Sequence, residues 1–230
     1  MIRVKILQDP QVHIKTGATV TVSDGGYERG YAAGYDEGRD AEQRSTAGIF
    51  DETSTLVSNS FVSYLRNFAL AFNATVESIL FENVQSTGEH AFYQCYQLKN
   101  VHLPNLTTPG TYVFRDCTSL ETLILPKVAT LTYGICQAAK NLVRVDTSSV
   151  IRVDNAAFLD CAAMTALILR NSRVAVLAAT RAFTGTPIAN GTGYVYVPAA
   201  LVEQYKSAAN WSTYAAQIRA IEDYPEICGT

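Results

Sequence analysis

The sequence lacks the features that mark several large classes of protein. Among 230 residues there are one tryptophan and two methionines, and 17% of the residues are charged. Eighteen basic residues against 21 acidic ones give a net charge of -3. This balance argues against a general nucleic-acid binder, which needs a basic surplus to meet the phosphate backbone. No apolar run approaches the roughly 18 to 20 residues that cross a bilayer, so no membrane span is predicted.

Residue patterns that support catalysis or metal binding are also missing. The three histidines, His13, His90 and His102, have no metal-binding spacing, and neither a P-loop lysine nor a G-x-S-x-G elbow occurs. The five cysteines include no C-x-x-C pair, and their odd number disfavours a disulfide framework. We therefore expect no enzyme, no cofactor and no metal. A glycan-acting enzyme, which would need paired carboxylates, is a remote alternative.

The N-terminal segment MIRVKILQDPQ does not resemble a secretory signal. It becomes polar within eight residues and so has no continuous hydrophobic region. From this we expect a protein that is made in the cytoplasm and stays there unless it leaves by lysis or by another route.

In place of such motifs, the sequence contains a repeat of 22 residues. The stretches that begin at Phe92, Phe114, Cys136 and Phe158 share one apolar pattern, which the stretch from Leu70 follows more loosely. The pattern L-x-x-L-x-L ends in period-two alternation, which indicates a short strand. One such coil cannot bury its own apolar side, so successive coils must stack, with their strands parallel and about 4.8 Å apart. We predict a solenoid over residues 70–198.

The columns of this repeat predict its core. One apolar column holds Val76, Leu98, Leu120, Leu142 and Met164, and a second holds Ile79, Val101, Leu123, Val145 and Leu167. Among the predicted core positions only Thr147 is plainly polar. Cys95, Cys117 and Cys161 share a column with Asn73 and Ala139. Because unpaired cysteine is among the most buried residue types, we interpret these thiols as small buried side chains.

The repeats resemble a known family. AFYQCYQLKNVHLP (91–104) and VFRDCTSLETLILP (113–126) follow the pattern A-F-x-x-C-x-x-L-x-x-(V/I/L)-x-L-P, which resembles the BspA-like subclass of bacterial leucine-rich repeats. AFLDCAAMTALILR (157–170) matches apart from the proline, whereas the repeat from Cys136 departs at Cys136, Ala139 and Thr147. The resemblance covers about residues 70 to 218. It implies a mixed α/β-type leucine-rich-repeat solenoid with one short parallel strand per turn, and binding or adhesion rather than catalysis.

The C-terminal region predicts a cap for the array. AFTGTPIANGTGYVYVPAALVEQYKSAANWSTYAAQI (182–218) resembles the end of such arrays in gut-bacterial and prophage proteins. Tyr194 to Val197 form a predicted last strand, and Pro198 stands where a helix can begin. We predict a helical cap over residues 199–230 that shields the last apolar edge.

The N-terminal third predicts a separate attachment region. Residues 1–25 alternate apolar and polar and indicate a small β segment. Residues 26–45 are a Gly/Tyr-rich connector that resembles runs preceding similar arrays in phage and prophage tail proteins. It is either an oligomerisation helix or a flexible linker. The candidate oligomerisation residues are Tyr27, Gly30, Tyr31, Gly34, Tyr35 and Gly38. Residues 46–69, with aromatic residues at helical spacing, form a predicted N-terminal cap of the solenoid.

The outward positions of the predicted strands are the candidate binding face. One outward column holds Leu80, His102, Ile124, Asp146, Ile168 and Tyr196, and the column beside it includes Asn100, Thr122 and Arg144. Ile124 and Ile168 are apolar where solvent is expected, which indicates contact with a ligand or with another part of the assembly. An ordinary exposed sheet is the alternative.

These patterns together predict a non-enzymatic phage or prophage virion component, part of a tail or a surface fibre. The N-terminal third would contact other virion proteins, and the repeat face would bind a protein or glycan of the bacterial surface. We also expect a homo-oligomer and no nucleic-acid partner. The alternative is a bacterial adhesin-type leucine-rich-repeat module at the cell surface.

Overall fold

The computed structural model describes residues 56–58 and 62–229, which form a stack of coils. The predicted β attachment segment 1–25 and Gly/Tyr segment 26–45 lie outside the described residues. The strands are β1 (Leu56–Ser58), β2 (Tyr64–Leu65), β3 (Ser78–Leu80), β4 (Ser86–Thr87), β5 (Asn100–His102), β6 (Thr122–Leu125), β7 (Thr130–Leu131), β8 (Arg144–Thr147), β9 (Arg152–Val153), β10 (Ala166–Leu169), β11 (Val176–Leu177), β12 (Tyr194–Val197) and β13 (Ile218–Ala220). The α-helices are α1 (Pro187–Asn190), α2 (Val202–Ser207) and α3 (Pro225–Cys228), and 3-10 turns lie at Thr180–Phe183, Ala199–Leu201, Trp211–Gln217 and Ile221–Asp223.

The longer strands confirm the predicted register. They pair in parallel in the orders β1-β3-β5 and β6-β8-β10-β12-β13, and β5 lies beside β6. We call these two groups of longer strands together the main sheet. Leu123 lies opposite Val145, and Val145 lies opposite Leu167, so each step along this main sheet corresponds to 22 residues of sequence. The coil from β10 to β12 is longer, because Ala166 pairs with Tyr194 and α1 occupies the additional residues.

Five of the coils also contain a second, two-residue strand, which the sequence did not predict. These strands pair in the orders β2-β4 and β7-β9-β11, and a bridge joins Ser86 to Thr108 between the two sets. A segment such as Thr130–Leu131 is too short to show an alternating pattern, so it gives no periodic signal.

The third side of each coil is a turn with two residues in the left-handed backbone region. The first column of these residues is Phe68, His90, Tyr112, Gly134 and Ala156, and the second is Phe72, Gln94, Asp116, Ala138 and Asp160. Most are not glycine, so the conformation is intrinsically unfavourable. Bonds between coils hold it in place: Gln94 N–H donates to the carbonyl of Arg115 at 2.9 Å, and Asp116 N–H donates to that of Gln137 at 2.9 Å.

The predicted apolar columns form one continuous core. All their members are buried except Val101, which is half-buried. The rings of Phe92 and Phe114 stack with centroids 5.3 Å apart. Thr147, the polar exception, is also buried, and its hydroxyl donates to the carbonyl of Ile168 at 3.1 Å. The polar group is therefore satisfied inside the core.

The cysteines form the predicted ladder of buried thiols. The Sγ of Cys95 donates to the carbonyl of Leu70 at 3.1 Å, and that of Cys117 donates to the carbonyl of Phe92 at 3.0 Å. The Sγ of Cys161 makes the same contact, at 2.9 Å, with the carbonyl of Cys136. Burial raises the pKa of Cys161 to about 12, so the reactive thiolate is disfavoured.

The predicted C-terminal cap covers the end of the second set of strands, and polar side-chain atoms of the cap form hydrogen bonds with the backbone there. Trp211 Nε1–H donates to the carbonyl of Ala175 at 2.7 Å, and the hydroxyl of Tyr205 accepts from Ala175 N–H at 2.9 Å. Asn210 Nδ2 donates to the carbonyl of Leu177 at 2.7 Å. The backbone groups at the open edge of β11 thus receive side-chain partners in place of another strand.

The structure differs from the predicted boundaries at both ends of the array. The described part of residues 46–69 is not helical: β1 and β2 pair in register with β3 and β4, so this part is a coil of the stack. At the other end, β13 continues the main sheet beyond residue 198, because the helices after Pro198 occupy one coil and the chain then returns to β12.

Candidate binding face

The structure places the predicted face residues in two adjacent columns on the outer side of the main sheet. The first column is Leu56, Ser78, Asn100, Thr122, Arg144, Ala166 and Tyr194. The second is Ser58, Leu80, His102, Ile124, Asp146, Ile168, Tyr196 and Arg219. The columns divide into two halves with different surroundings.

The half that includes β3, β5 and β6 is exposed, and we call it the open half of the face. Leu80 is 37% exposed and Ile124 is 53% exposed, with the exposed residues His102, Asn100 and Thr122 around them. Leu56, 58% exposed, extends the apolar side chains to β1. Leu56 stands 22 residues before Ser78 and pairs with it, but it precedes the predicted solenoid, which begins at residue 70.

The polar groups of the open half are held by weak contacts between neighbouring coils. Asn100 Nδ2 donates to Ser78 Oγ at 3.0 Å, and His102 Nε2 lies 3.3 Å from a carboxylate oxygen of Glu82. Such exposed contacts contribute little to stability. These side chains can therefore exchange their partners for those of a ligand at small cost.

The other half is covered by the chain itself, which corrects the predicted face. Asp146, Ile168 and Tyr196 are buried rather than exposed. Residues 221–229, which we call the tail, lie over them, and the ring of Tyr224 meets that of Tyr196 edge-on at 5.4 Å. The apolar Ile168 did indicate a contact, but column spacing gives no information on where the chain folds back after β13. The accessible part of the predicted column ends at Ile124.

A charged cluster marks the boundary between the two halves. Asp146 accepts two hydrogen bonds from Arg170, at 2.8 and 2.9 Å, and one from Arg144 Nη2 at 2.6 Å. Both guanidinium groups also donate to the carbonyl oxygen of Cys228 in the tail. The hydrogen bonds that Arg170 donates to the Asp146 carboxylate raise the pKa of Arg170. Arg170 follows Leu169, the last residue of β10, and therefore belongs to neither outward column of the predicted face.

An aromatic ladder on the turn side was also not predicted. The imidazole of His90 stacks between the rings of Phe68, at 4.8 Å, and Tyr112, at 4.9 Å. Burial lowers the pKa of His90. The ladder ends at Gly134, where a β-carbon would come within 2.5 Å of the Tyr112 ring. Because the ring faces are occupied by one another, we interpret this ladder as part of the packing between coils.

The candidate oligomerisation residues, Tyr27 to Gly38, lie outside the described residues. Within residues 56–58 and 62–229, no three histidine, cysteine or acidic side chains form a group able to hold a metal ion. In the same ranges, no helix is both long and apolar enough to span a bilayer.

Comparisons with known proteins agree with this architecture. Residues 49–165 match the family model described as "BspA type Leucine rich repeat region", in six copies. A leucine-rich repeat protein from Eubacterium ventriosum has a similar structure, with a TM-score of 0.51 and 22% identity over 58% of this chain and 43% of its own. A leucine rich cell surface protein from Faecalibacterium prausnitzii gives a TM-score of 0.50 and 20% identity, over 55% of this chain and 35% of its own. The chain thus spans less than half the length of either protein. No curated protein sequence matches it.

Proposed function

The chain belongs to the BspA-type leucine-rich repeat family, and we propose on that premise that it is a non-catalytic binding module whose open half contacts a protein on a bacterial surface. The observation that carries the proposal is the outward row Leu80, His102 and Ile124, in which two exposed aliphatic side chains stand on either side of the imidazole. Polar Asn100 and Thr122 flank that row, as polar residues surround the apolar centre of protein interfaces.

A protein ligand fits this surface better than a glycan does. The open half offers branched aliphatic side chains on a rigid sheet, and a flat apolar contact of this kind suits another protein. A glycan site needs several polar groups directed at the sugar hydroxyls. Here exposed polar groups contact their own neighbours, as Asn100 contacts Ser78 and His102 contacts Glu82.

The test compares two exposed aliphatic residues on different faces. Ile124 is 53% exposed on the main sheet, and Val176 is 54% exposed on the second set of strands. Labelled Ile124→Asp protein should lose at least tenfold in binding to intact bacterial cells, whereas Val176→Asp should bind as the parent does. Equal binding by the two variants, at unchanged melting temperatures, would refute the assigned face. Protease treatment of the cells should abolish binding, and survival of binding would indicate a glycan ligand.

We further propose that the module is displayed by its N-terminal third, on a virion or on a bacterial cell. The Gly/Tyr segment 26–45 supports the virion, where residues 1–25 would contact other virion proteins. The Faecalibacterium protein, described as a cell surface protein, supports the cell. Mass spectrometry of purified phage particles and of proteins shaved from intact cells separates these two locations. Absence of the chain from purified particles would exclude the virion.

The same segment is our candidate for self-association. Glycines and tyrosines recur every four residues, so on a helix each set would form one stripe. Replacing Gly30, Gly34 and Gly38 with leucine would block close approach of two helices. Light scattering should then show a smaller assembly than for the parent chain. An unchanged mass would favour the linker interpretation.

A further inference from the structure

The tail is docked onto the main sheet rather than built into the core. Its apolar side chains form a separate cluster with Ala166, Ile168 and Tyr196, outside the main core. Its backbone N–H groups bond mostly within the tail, as Cys228 N–H does with the carbonyl of Tyr224 at 2.9 Å. The chain leaves strand pairing at Ala220, the last residue of β13.

The docked surface has the composition of a peptide-binding site. Ile221 stands in the 3-10 turn 221–223, Cys228 in α3 and Tyr224 between the two, and all three side chains join the same apolar cluster against the sheet. They pack on a floor that the sheet supplies, chiefly Ile168 and Tyr196. The floor is rigid, because parallel strands pair on both sides of it.

The polar end of the site is only partly satisfied by the tail. Arg144 and Arg170 carry two positive charges against the single negative charge of Asp146, which leaves one net positive charge. The tail group that accepts hydrogen bonds from both guanidinium groups is the neutral main-chain carbonyl of Cys228, not a carboxylate. In addition, Arg144 Nε is buried without a hydrogen-bond partner. A carboxylate in place of that carbonyl would neutralise the charge and supply a further acceptor, and charge-assisted bonds are about twice as strong as neutral ones.

We propose that this half of the face binds the C-terminal carboxylate of a partner protein, preceded by apolar side chains at the spacing found in the tail, and that the tail occupies the site in competition with it. The inference rests on the proposed function in treating the main sheet as a binding surface. It adds a ligand class and a form of regulation. Being tethered, the tail acts at a high effective concentration, so an external peptide must bind more favourably to displace it.

The test uses the full chain and a defined probe. The probe is a fluorescent peptide with the sequence of residues 220–228, alanine replacing the cysteine, made with either a free carboxylate or an amide at its end. The variant Ile221→Ser/Tyr224→Ser should release the tail. It should bind the carboxylate peptide at least tenfold more tightly than the amide and at least tenfold more tightly than the parent chain does. Adding Arg170→Gln to this variant should abolish the preference for the carboxylate.

A second measurement uses the parent chain without substitution. Cys228 belongs to the tail and is buried against the sheet while the tail is docked, and the probe has no cysteine. The carboxylate peptide should increase the labelling of Cys228 by a maleimide several-fold, and the amide should not. Equal effects of the two peptides, or no binding to a folded released variant, would overturn the proposal. Neither result depends on the cell-binding assay with Ile124→Asp, so the two proposals fail separately.

Discussion

A single pair of neighbouring substitutions tests the register of the whole stack. Leu123 is fully buried in β6 between the coils before and after it, whereas Ile124 points to solvent and is 53% exposed. Leu123→Asp and Ile124→Asp make similar chemical changes one residue apart. The structure predicts very different effects on the free energy of unfolding.

The magnitudes follow from burial. Truncating a buried leucine costs about 2 to 5 kcal/mol, and leaving a carboxylate in the cavity adds about 2 kcal/mol or more. Leu123→Asp should therefore cost about 4 kcal/mol or more, which approaches the entire stability of a marginally stable domain. Ile124→Asp loses some strand propensity, about 1 kcal/mol at most. It also lies opposite Asp146, where a like charge costs up to about 1 kcal/mol.

Urea unfolding measures this difference. Circular dichroism reports the strands, and the fluorescence of Trp211, the only tryptophan, reports the C-terminal cap. With a slope near 2.5 kcal/mol per molar urea, Leu123→Asp should lower the midpoint by about 2 M or prevent folding, and Ile124→Asp should lower it by less than about 1 M. Equal midpoints, or a larger loss for Ile124→Asp, would refute the register of the main sheet.

Three further substitutions or treatments test the turn side and the thiols. Gly134→Ala should lower stability by about 2 kcal/mol in thermal melts because its β-carbon would meet the Tyr112 ring, and Tyr112→Ala should relieve most of that loss. Burial lowers the pKa of His90 in the folded state. The stabilisation by neutral His90 is therefore complete above its usual pKa of 6.5, and it is lost as the pH falls below 6.5 and through the lower pKa of the folded state. The melting temperature should thus decline less for His90→Phe than for the parent between pH 7.5 and 5, and parallel curves would contradict this. Because burial raises the pKa of Cys117 well above its usual range, this thiol should resist a maleimide at pH 8 until denaturant is added, and rapid native labelling would contradict its burial.

Most of the fold could be predicted because the repeat fixes its own register. A residue such as Leu123 has an equivalent 22 positions earlier and later, so its burial is indicated several times by the sequence. The cysteine ladder follows from the same periodicity. At Asn73 the ladder changes chemistry: the side chain accepts hydrogen bonds from the N–H groups of Thr75 and Val76.

The features that could not be predicted are those that the spacing of residues along the sequence does not indicate. The two-residue strands of the second set are too short to produce a pattern, and the left-handed turns are occupied by residues as different as Phe68 and Asp160. These turns are stable because bonds from the next coil fix them. The covered half of the face depends on a chain reversal after β13, which no local signal specifies.

The repeat that departs most from the family pattern is also the one at which the outward face changes from exposed to covered. The repeat from Cys136 to Thr147 lacks the phenylalanine and the column cysteine, and its strand β8 presents Arg144 and Asp146 outward, where the preceding coil presents Thr122 and Ile124. Core columns must stay apolar for coils to stack, so variation in the outward columns is free of that constraint. A solenoid can therefore change its ligand within one coil while its fold is preserved. We therefore expect the open half and the arginine cluster to act as two sites with different chemistry on one side of the stack, and Arg144→Gln should leave the effect of Ile124→Asp on cell binding unchanged.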